Sequence, residues 1–415
     1  MTSFAAIADD LTGACDVAAE LALAGWQVRV ALGPEAPATP PDPGDDVVIA
    51  NTQSRAIAAS AAYQRVRDAI RARPARIVLK KIDTALRGHL GAELDGALDA
   101  LGAPAFILAA IPAAGRITRG GCQWFGDRLL ETTEFARDPE GPGAVSSIAA
   151  VLGRESRRRA AVIGRDAVLA GRLASEVARY RTDGIDVFVV DAETDDDVRC
   201  AVDAILELAE PVCLFGSIAL TAALASHVGA RRSDRTERGH TIELPALIVS
   251  GSLHSRARAQ LDAVMATGRA VTVAPPAAES QAMAQTATAV ATHRAAGTTV
   301  VVAAPPPAGV PTADALRTTE HSLAELVTAV ASRVVIPTLV LIGGETSHAI
   351  LTRLGAATIA VHGRIAPLIA WGTVLAGRAA GSTLITKGGS GGEPDVLARL
   401  VSGNGAERRE AGERR

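Results

Sequence analysis

Residues 4–25, with the sequence FAAIADDLTGACDVAAELALAG, decide the fold of this chain. Residues 4–8 form a short apolar run typical of a buried strand, and residues 12–24 place Ala, Val and Leu at helical spacing before the helix stop Gly25. Asp9 and Asp10 lie between these two elements. The stretch therefore predicts a strand that leads into a helix, with two carboxylates at the junction.

The same alternation continues along the first half of the chain. Ala- and Leu-rich helical patterns, such as those at 56–70 and 92–101, lie between further apolar runs. These runs predict strands at residues 28–32, 47–50, 77–80, 105–109, 160–163, 187–190 and 212–215. Strands that alternate with helices form a mainly parallel sheet with helices on its faces, which is the α/β class. Residues 116–147 are richer in Gly, Thr and charge, and we expect loops there that cover one end of the sheet.

A polar segment without periodicity divides the chain into two such α/β series, because it has the composition of a linker. Beyond it, β-branched runs predict a second set of strands at residues 246–249, 299–303, 338–342 and 383–386. We therefore expect an N-terminal domain at 1–230, a linker at 231–244, a C-terminal domain at 245–401 and a disordered tail at 402–415. Each domain should have a mainly parallel sheet flanked by helices.

Composition excludes several classes of protein. The 415 residues are 48% hydrophobic and 21% charged, which is typical of a folded globular protein. A net charge of -3 and the lack of a basic tract argue against nucleic acid as a partner. No export signal or apolar stretch of about 18 residues is present, so we expect neither export nor a membrane span. The cysteines lack disulfide or zinc spacing, which favours a cytoplasmic location.

Charged side chains follow four of the predicted strands in the first domain. They are Asp9, Asp10, Arg55, Lys81, Asp83, Arg87 and Arg116. The carboxyl ends of parallel strands meet at the edge where α/β sheets bind ligands. Arg binds carboxylates through paired hydrogen bonds and Asp accepts from hydroxyl groups, so these residues predict a site for an anionic, polyhydroxylated small molecule. For any one residue an ordinary loop role is an alternative, and Asp9 or Asp10 could simply cap the following helix.

Glycine and hydroxyl groups take the corresponding places in the second domain. Strands there lead into the segments 250–255, 343–347 and 386–392, which are rich in Gly and Ser or Thr. Glycine lets a backbone approach a ligand closely, and a helix start offers free N–H groups to phosphate. The candidate nucleotide-binding residues are Ser252, Ser255, Gly343, Gly344, Glu345, Thr346, Lys387, Gly388 and Gly389. No G-x-x-x-x-G-K-[ST] or G-x-G-x-x-G signature is present, so the site must be of another type.

Lysine use also draws attention to these segments. Of the 42 basic side chains, three are lysines and the other 39 are arginines. The lysines are Lys80, Lys81 and Lys387, and all three fall within the segments described above. A general preference for arginine explains the low count but not this placement.

Six motifs together resemble those of the four-carbon acid sugar kinase family. They are IADDLTGA at 7–14, KKIDTALRG at 80–88, PAAGR at 112–116, SGS at 250–252, GGET at 343–346 and TKGG at 386–389. The resemblance runs from residue 4 to about residue 400. It implies ATP-dependent phosphorylation of the terminal hydroxyl of threonate, erythronate or a 3-oxo-tetronate. It also implies that the seven charged residues of the first domain bind the acid and that ATP lies against Ser252, Ser255, the 343–346 turn and Gly388.

The resulting hypothesis is phosphoryl transfer in a cleft between the two domains. Asp10 or Asp83 would orient or deprotonate the hydroxyl, and the sequence does not separate their roles from that of Asp9. Lys387, the glycine-loop N–H groups and a Mg²⁺ ion, whose ligands stay unassigned, would neutralise the phosphates. The alternatives are an NAD-dependent sugar-acid dehydrogenase, which lacks its usual fingerprint here, and a non-catalytic sugar-acid sensor. The oligomeric state is open, with a homodimer as the candidate assembly.

Overall fold

Most of the chain is described by a computed structural model. The described residues are 4–33, 45–137, 141, 143, 145–208, 211–229, 242–276, 280–304 and 312–403. They form two compact units, one within residues 1–233 and the other within 234–415. Most of the linker predicted at 231–244 and of the tail predicted at 402–415 lies outside the described residues, so both stay predictions.

Parallel strands form the main sheet of the first unit. In chain order the strands of this unit are β1 (Phe4–Ala8), β2 (Val28–Ala31), β3 (Val47–Asn51), β4 (Ile77–Lys81), β5 (Ala105–Leu108), β6 (Arg116–Arg119), β7 (Cys122–Phe125), β8 (Arg128–Leu129), β9 (Ala160–Ile163), β10 (Val187–Val190) and β11 (Val212–Gly216). The described strands of the main sheet have the order β2-β3-β1-β4-β11-β5-β10-β9, and every pairing is parallel. The strands of this sheet are mostly apolar because helices bury both faces of the sheet, and the polar residues of β3 and β4 lie at the carboxyl ends of those strands.

Helices connect these strands. They are α1 (Leu11–Leu23), α2 (Ala59–Ala72), α3 (Leu90–Leu101), α4 (Ile148–Glu155), α5 (Arg165–Leu169), α6 (Leu173–Thr182), α7 (Asp195–Leu206) and α8 (Ile218–Val228). Helix α1 begins one residue earlier than the pattern predicts, because Asp10 is its N-cap and accepts from the N–H of Gly13. Phe106, Phe188 and Phe215 are fully buried in the sheet.

The chain order around β1 determines where a ligand can bind. The connection through α1 leads from β1 to β2 on one side of the sheet, whereas β4 pairs with β1 on the other side. Such a reversal leaves a crevice at the carboxyl ends of the strands, where α/β proteins bind ligands. Residues 9–10 and 82–83 follow β1 and β4 at this point, and Lys81 is the last residue of β4.

The segment at 116–147 differs from the prediction of loops, which is wrong for its first part. Strands β6, β7 and β8 form a small antiparallel sheet. Gly120 and Gly121 both have positive φ, 60° and 71°, and join β6 to β7 as a two-residue hairpin turn. A Gly-Gly pair suits such a turn because both central residues need positive φ.

The second unit is also α/β, with a mixed sheet. Its strands are β12 (Ala246–Ser250), β13 (Ala270–Val273), β14 (Thr299–Ala303), β15 (Thr338–Ile342), β16 (Thr358–Ala366), β17 (Ile369–Val374) and β18 (Thr383–Lys387). Its helices are α9 (Ser255–Ala266), α10 (Ser280–Ala295), α11 (Ala313–Ala331), α12 (Gly344–Arg353) and α13 (Val396–Val401). The order is β13-β14-β12-β15-β18-β17-β16, parallel as far as β18 and antiparallel beyond it.

The α/β class and the mainly parallel sheets predicted from the sequence are therefore confirmed. The antiparallel hairpin β16–β17 was not predicted. Among the described helices, none is long and apolar enough to span a bilayer.

Candidate active site

Arg55 joins the two aspartates that follow β1. Its Nε donates to Asp9 Oδ2 at 2.8 Å, and its Nη1 donates to Asp10 Oδ2 at 2.9 Å. All three side chains are buried. Burial alone would raise the pKa of Asp9, but the positive charges of Arg55, Lys80 and Lys81 hold that pKa below its usual value. Asp9 is therefore an ionised carboxylate in a cationic setting.

Asp10 has two further partners. Its Oδ1 accepts from the N–H of Gly13 at 2.9 Å, and its Oδ2 accepts from Thr12 Oγ1 at 2.6 Å. The capping role considered for Asp9 or Asp10 thus belongs to Asp10. A Cβ on Gly13 would lie 2.5 Å from Asp10 Oδ1 and 3.5 Å from Lys81 Nζ, so this turn of α1 lies directly against both side chains.

A buried ion pair supports this group from within the unit. Lys80 Nζ lies 2.8 Å from Glu93 Oε2 and 3.9 Å from Asp9 Oδ1, and it donates to the carbonyl oxygen of Lys81. Ser54 donates to the other oxygen of Glu93. Lys80 and Glu93 are both buried, so loss of one member of this ion pair would leave the charge of the other poorly compensated. Glu93 was not predicted from the sequence, although its place on the apolar side of α3, beside Leu90 and Leu94, was an available signal.

Asp83 and its neighbours extend the cluster beyond β4. Asp83 accepts from Arg87 Nε, and the pKa of Asp83 lies well below its usual value because Arg87, Arg55 and Lys81 together outweigh the effect of burial. Lys81 Nζ donates to the carbonyl oxygen of Ile82 at 2.8 Å. Asp83 therefore shares its cations with Asp9 and Asp10.

Arg116 is held at the start of the small antiparallel sheet. Its Nη1 donates to Thr84 Oγ1 at 2.5 Å, and its guanidinium lies over the rings of Phe125 and Phe135, 4.9 Å and 5.6 Å from their centres. Burial lowers the pKa of Arg116, and the charge of Asp83 opposes that effect. The structure thus brings all seven charged residues predicted in the first domain into one electrostatically connected cluster, and it adds Thr84, Lys80 and Glu93.

Asp16 on α1 is a further buried carboxyl group in this region. Its side chain is 8% exposed. Burial raises the pKa of Asp16 to about 7, with Asp10 and Glu20 acting in the same direction and Lys81 and Arg116 opposing them. Asp16 was not predicted from the sequence because it lies within a helix and not directly after a strand. The available signal was a carboxylate within a helix whose residues from Leu11 to Leu21 are all buried.

In the second unit, the three glycine-containing segments begin side by side. Ser250 pairs with Ile342, and Ile342 pairs with Lys387, so the three strands end at the same level. A Cβ on Gly251 would lie 2.0 Å from Thr346 Oγ1, and one on Gly389 would lie 2.2 Å from Ser252 Oγ. Glycine is required at both positions because the segments touch.

Two helices begin at these segments. Gly343 is the N-cap of α12 and provides no side-chain cap, so the first N–H groups of α12, at Gly344, Glu345 and Thr346, lie at the positive end of the helix dipole. His254 caps α9, where its Nδ1 accepts from the N–H of Arg256 at 3.1 Å, and Ser255 is the first residue of that helix. Ser252 Oγ accepts from the N–H of His254 at 3.3 Å. The α12 start has the chemistry of a phosphate site.

The loop after β18 is fixed by two side chains. Lys387 is fully buried and its Nζ donates to the carbonyl oxygen of Gly388 at 2.7 Å. Gln260, on α9, directs its Nε2 at the carbonyl oxygens of Gly391, Gly392 and Glu393, at 2.9, 3.1 and 2.9 Å. Gln260 was not predicted from the sequence, since a lone glutamine in a helix carries no recognisable pattern.

Comparison with known proteins agrees with this division of chemistry. Residues 4–224 match the family model of a sugar-binding N-terminal domain, and residues 247–397 match that of a nucleotide-binding C-terminal domain. The chain belongs to the four-carbon acid sugar kinase family. The family predicted from the six motifs is therefore confirmed.

Individual relatives extend over almost the whole chain. A D-threonate kinase of Bordetella bronchiseptica is 34% identical over 95% of this chain and 96% of its own length. A D-erythronate kinase of Heliobacterium modesticaldum is 30% identical over 97% of each chain. A solved structure from Salmonella typhimurium LT2 covers 96% of this chain and 99% of its own with a TM-score of 0.78, and at 21% identity it supports the fold alone.

Proposed function

We propose that this protein transfers the γ-phosphoryl group of ATP to the terminal hydroxyl of a four-carbon acid sugar of the threonate, erythronate or 3-oxo-tetronate type. The observation that carries the proposal is the charge cluster of the first unit, which combines Lys81, Arg87 and Arg116 with three carboxylates at the carboxyl ends of the strands. A small sugar acid presents one carboxylate and several hydroxyl groups. The cluster offers complementary groups to both.

The four cations of the cluster have three different roles in our proposal. The guanidinium of Arg55 already binds Asp9 and Asp10, so in our proposal it mainly fixes those carboxylates. Lys81 and Arg116 are buried cations whose charges act on Asp83, and we assign them to the carboxylate of the acid. Arg87 pairs with Asp83 at the more exposed side of the cluster and would close over the bound acid.

Asp9, Asp10 and Asp83 are the candidates for orienting the hydroxyl groups. Each is tied to an arginine, and neighbouring cations hold the pKa of Asp9 and Asp83 below the usual value. Such carboxylates accept hydrogen bonds well but take up protons poorly. Replacing each with Asn should raise KM for the acid or lower kcat by roughly a hundredfold. If all three variants retain wild-type kinetics, these assignments are wrong.

The nucleotide is assigned to the second unit. The N–H groups at the start of α12, with Ser252, Ser255 and the 387–389 segment, would surround the phosphates of ATP. No group of three or more His, Cys, Asp or Glu side chains in the described ranges is placed to hold a metal ion. Mg²⁺ commonly binds through phosphates, water and one or two carboxylates, so Glu345 in the first turn of α12 is the protein ligand that fits it. When bound, the ion would supply charge neutralisation of the phosphates.

Direct transfer requires the hydroxyl of the acid to meet the γ-phosphate. The proposal therefore includes the cleft between the domains that was predicted from the sequence. Exclusion of water from such a cleft prevents hydrolysis of ATP in place of transfer.

A specificity assay tests the function. The purified protein is incubated with ATP, Mg²⁺ and single members of a panel of D- and L-threonate, D- and L-erythronate and 3-oxo-tetronate, and release of ADP is measured. We expect one acid or a small subset to stimulate ADP release strongly. Tight binding of an acid without ADP release would indicate a sensor. In a parallel incubation with NAD⁺ in place of ATP, acid-dependent formation of NADH would indicate a dehydrogenase.

A further inference from the structure

Asp16 lies where it can act on a ligand held by the charge cluster. Asp16 is three residues beyond Gly13, so the two share a face of α1, and helical side chains lean towards the helix N-terminus. The Asp16 carboxyl therefore lies over the turn that contains Gly13. A Cβ at Gly13 would be 3.3 Å from Lys81 Cγ and 3.5 Å from Lys81 Nζ, so this face of α1 is directed at the proposed acid site.

The carboxyl group of Asp16 lacks the partners that a purely structural carboxylate needs. It is 92% buried, as its 8% exposure shows, yet among the described residues it forms no hydrogen bond and no ion pair within 4.0 Å. Buried carboxylates are normally paired because desolvation is costly. By contrast, Glu93 is satisfied by Lys80 and Ser54. The unmet hydrogen-bonding capacity of Asp16 is therefore available to a bound molecule.

We propose that Asp16 is the general base of the reaction and accepts the proton of the hydroxyl group that attacks ATP, an inference that rests on the proposed kinase function. The Asp16 carboxylate takes the proton as the hydroxyl oxygen forms its bond to the γ-phosphorus. The bond from that phosphorus to the β–γ bridging oxygen breaks, and its electron pair leaves with ADP. The proton on Asp16 then passes to solvent.

The electrostatic setting suits this role. Burial, Asp10 and Glu20 raise the pKa of Asp16 to about 7, against the opposing charges of Lys81 on β4 and Arg116 on β6. A base is most effective when its pKa is close to the working pH. Helix α8 also packs against α1, but its titratable residue His227 pairs with Asp203 instead.

Two variants test the assignment, with kinetics measured across pH for the acid that proves active at saturating ATP and Mg²⁺. For the wild-type protein we expect kcat/KM for the acid to fall below about pH 7, as the free carboxyl becomes protonated. Asp16→Asn should lower kcat by about a hundredfold or more, with a much smaller change in KM, and should remove this pH dependence. Wild-type kcat, or an unchanged fall below about pH 7, would overturn the inference.

Glu20→Gln tests the role of Asp16 independently if Asp16→Asn does not fold. Glu20 lies one turn beyond Asp16 and its charge helps to raise the pKa of Asp16. The variant should therefore move the fall in kcat/KM to lower pH while the rate above pH 7 is unchanged. A profile identical to that of the wild-type protein would refute the role of Asp16. Failure of the wild-type protein to release ADP with every acid would instead refute the proposed function, and this inference with it.

Discussion

Replacement of Asp16 by Asn should stabilise the protein, and should do so more strongly at high pH. The pKa of Asp16 is raised from 3.8 to about 7 in the folded chain, so the folded state binds this proton more tightly than the unfolded state. The contribution of Asp16 to the free energy of unfolding is therefore highest below the unfolded-state pKa, falls as the pH rises towards about 7, and is constant above it. The full penalty is about 4 kcal/mol, and about 2 kcal/mol of it is incurred between about pH 5.5 and pH 8.5.

Urea titration at these two pH values measures the effect. Trp371→Phe in both proteins leaves Trp26 and Trp124 as fluorescent reporters, and both lie in the first unit with Asp16. The free energy of unfolding of the Asn variant should exceed that of its parent, and the excess should grow by about 2 kcal/mol from the lower to the higher pH. Asp68→Asn, at a side chain that is 61% exposed, is the control and should show no such growth. An equal difference at both pH values would refute the electrostatic account of Asp16.

Three further changes test the two candidate sites. Gly251→Ala places a Cβ 2.0 Å from Thr346 Oγ1, so it should weaken ATP binding roughly tenfold in calorimetry and leave the affinity for the acid unchanged. Gly153→Ala is the control, because nothing lies within 4 Å of its added Cβ, and it should change neither affinity. Arg55→Met removes the guanidinium that pairs with both Asp9 and Asp10, so it should cost roughly 3 kcal/mol in urea unfolding and abolish binding of the acid. Stability equal to that of the wild-type protein would contradict this. Gln260→Leu removes the donor to three carbonyl oxygens, so KM for ATP should rise roughly tenfold while KM for the acid stays constant, and equal changes in both constants would argue for general unfolding instead.

The sequence predicted the first unit well where local pattern and tertiary structure agree. The apolar run at 4–8 and the helical spacing after it correspond closely to β1 and α1, because a parallel strand buried on both faces must be apolar along its length. Helix α1 began one residue early since the capping oxygen of Asp10 determines its start. Strand-end reasoning likewise identified Arg55 and Lys81, whose positions follow from the parallel arrangement alone.

The small hairpin and two buried carboxylates of the site depend on tertiary contacts that the pattern of single strands does not predict. Strands β6 and β7 have four residues each and mix polar with apolar side chains, so they lacked a continuous apolar signal. Gly120-Gly121 between these two runs was an available indication of a hairpin. Glu93 and Asp16 lie on helices, and α3 brings Glu93 to Lys80 at the end of β4. Such partners are brought together by tertiary packing, and only their burial on an apolar helix face could have marked them.

The placement of the lysines has a practical consequence for chemical labelling. Lys80, Lys81 and Lys387 are 0%, 6% and 0% exposed, so the folded protein presents almost no lysine amine to solvent. Acylating reagents and amine-directed crosslinkers should therefore leave its lysines largely unmodified. Any acylation found by mass spectrometry at Lys80 or Lys81 would report transient opening of the first unit, and acylation at Lys387 would report opening of the second. The two events can be followed separately in one sample, without introducing a probe.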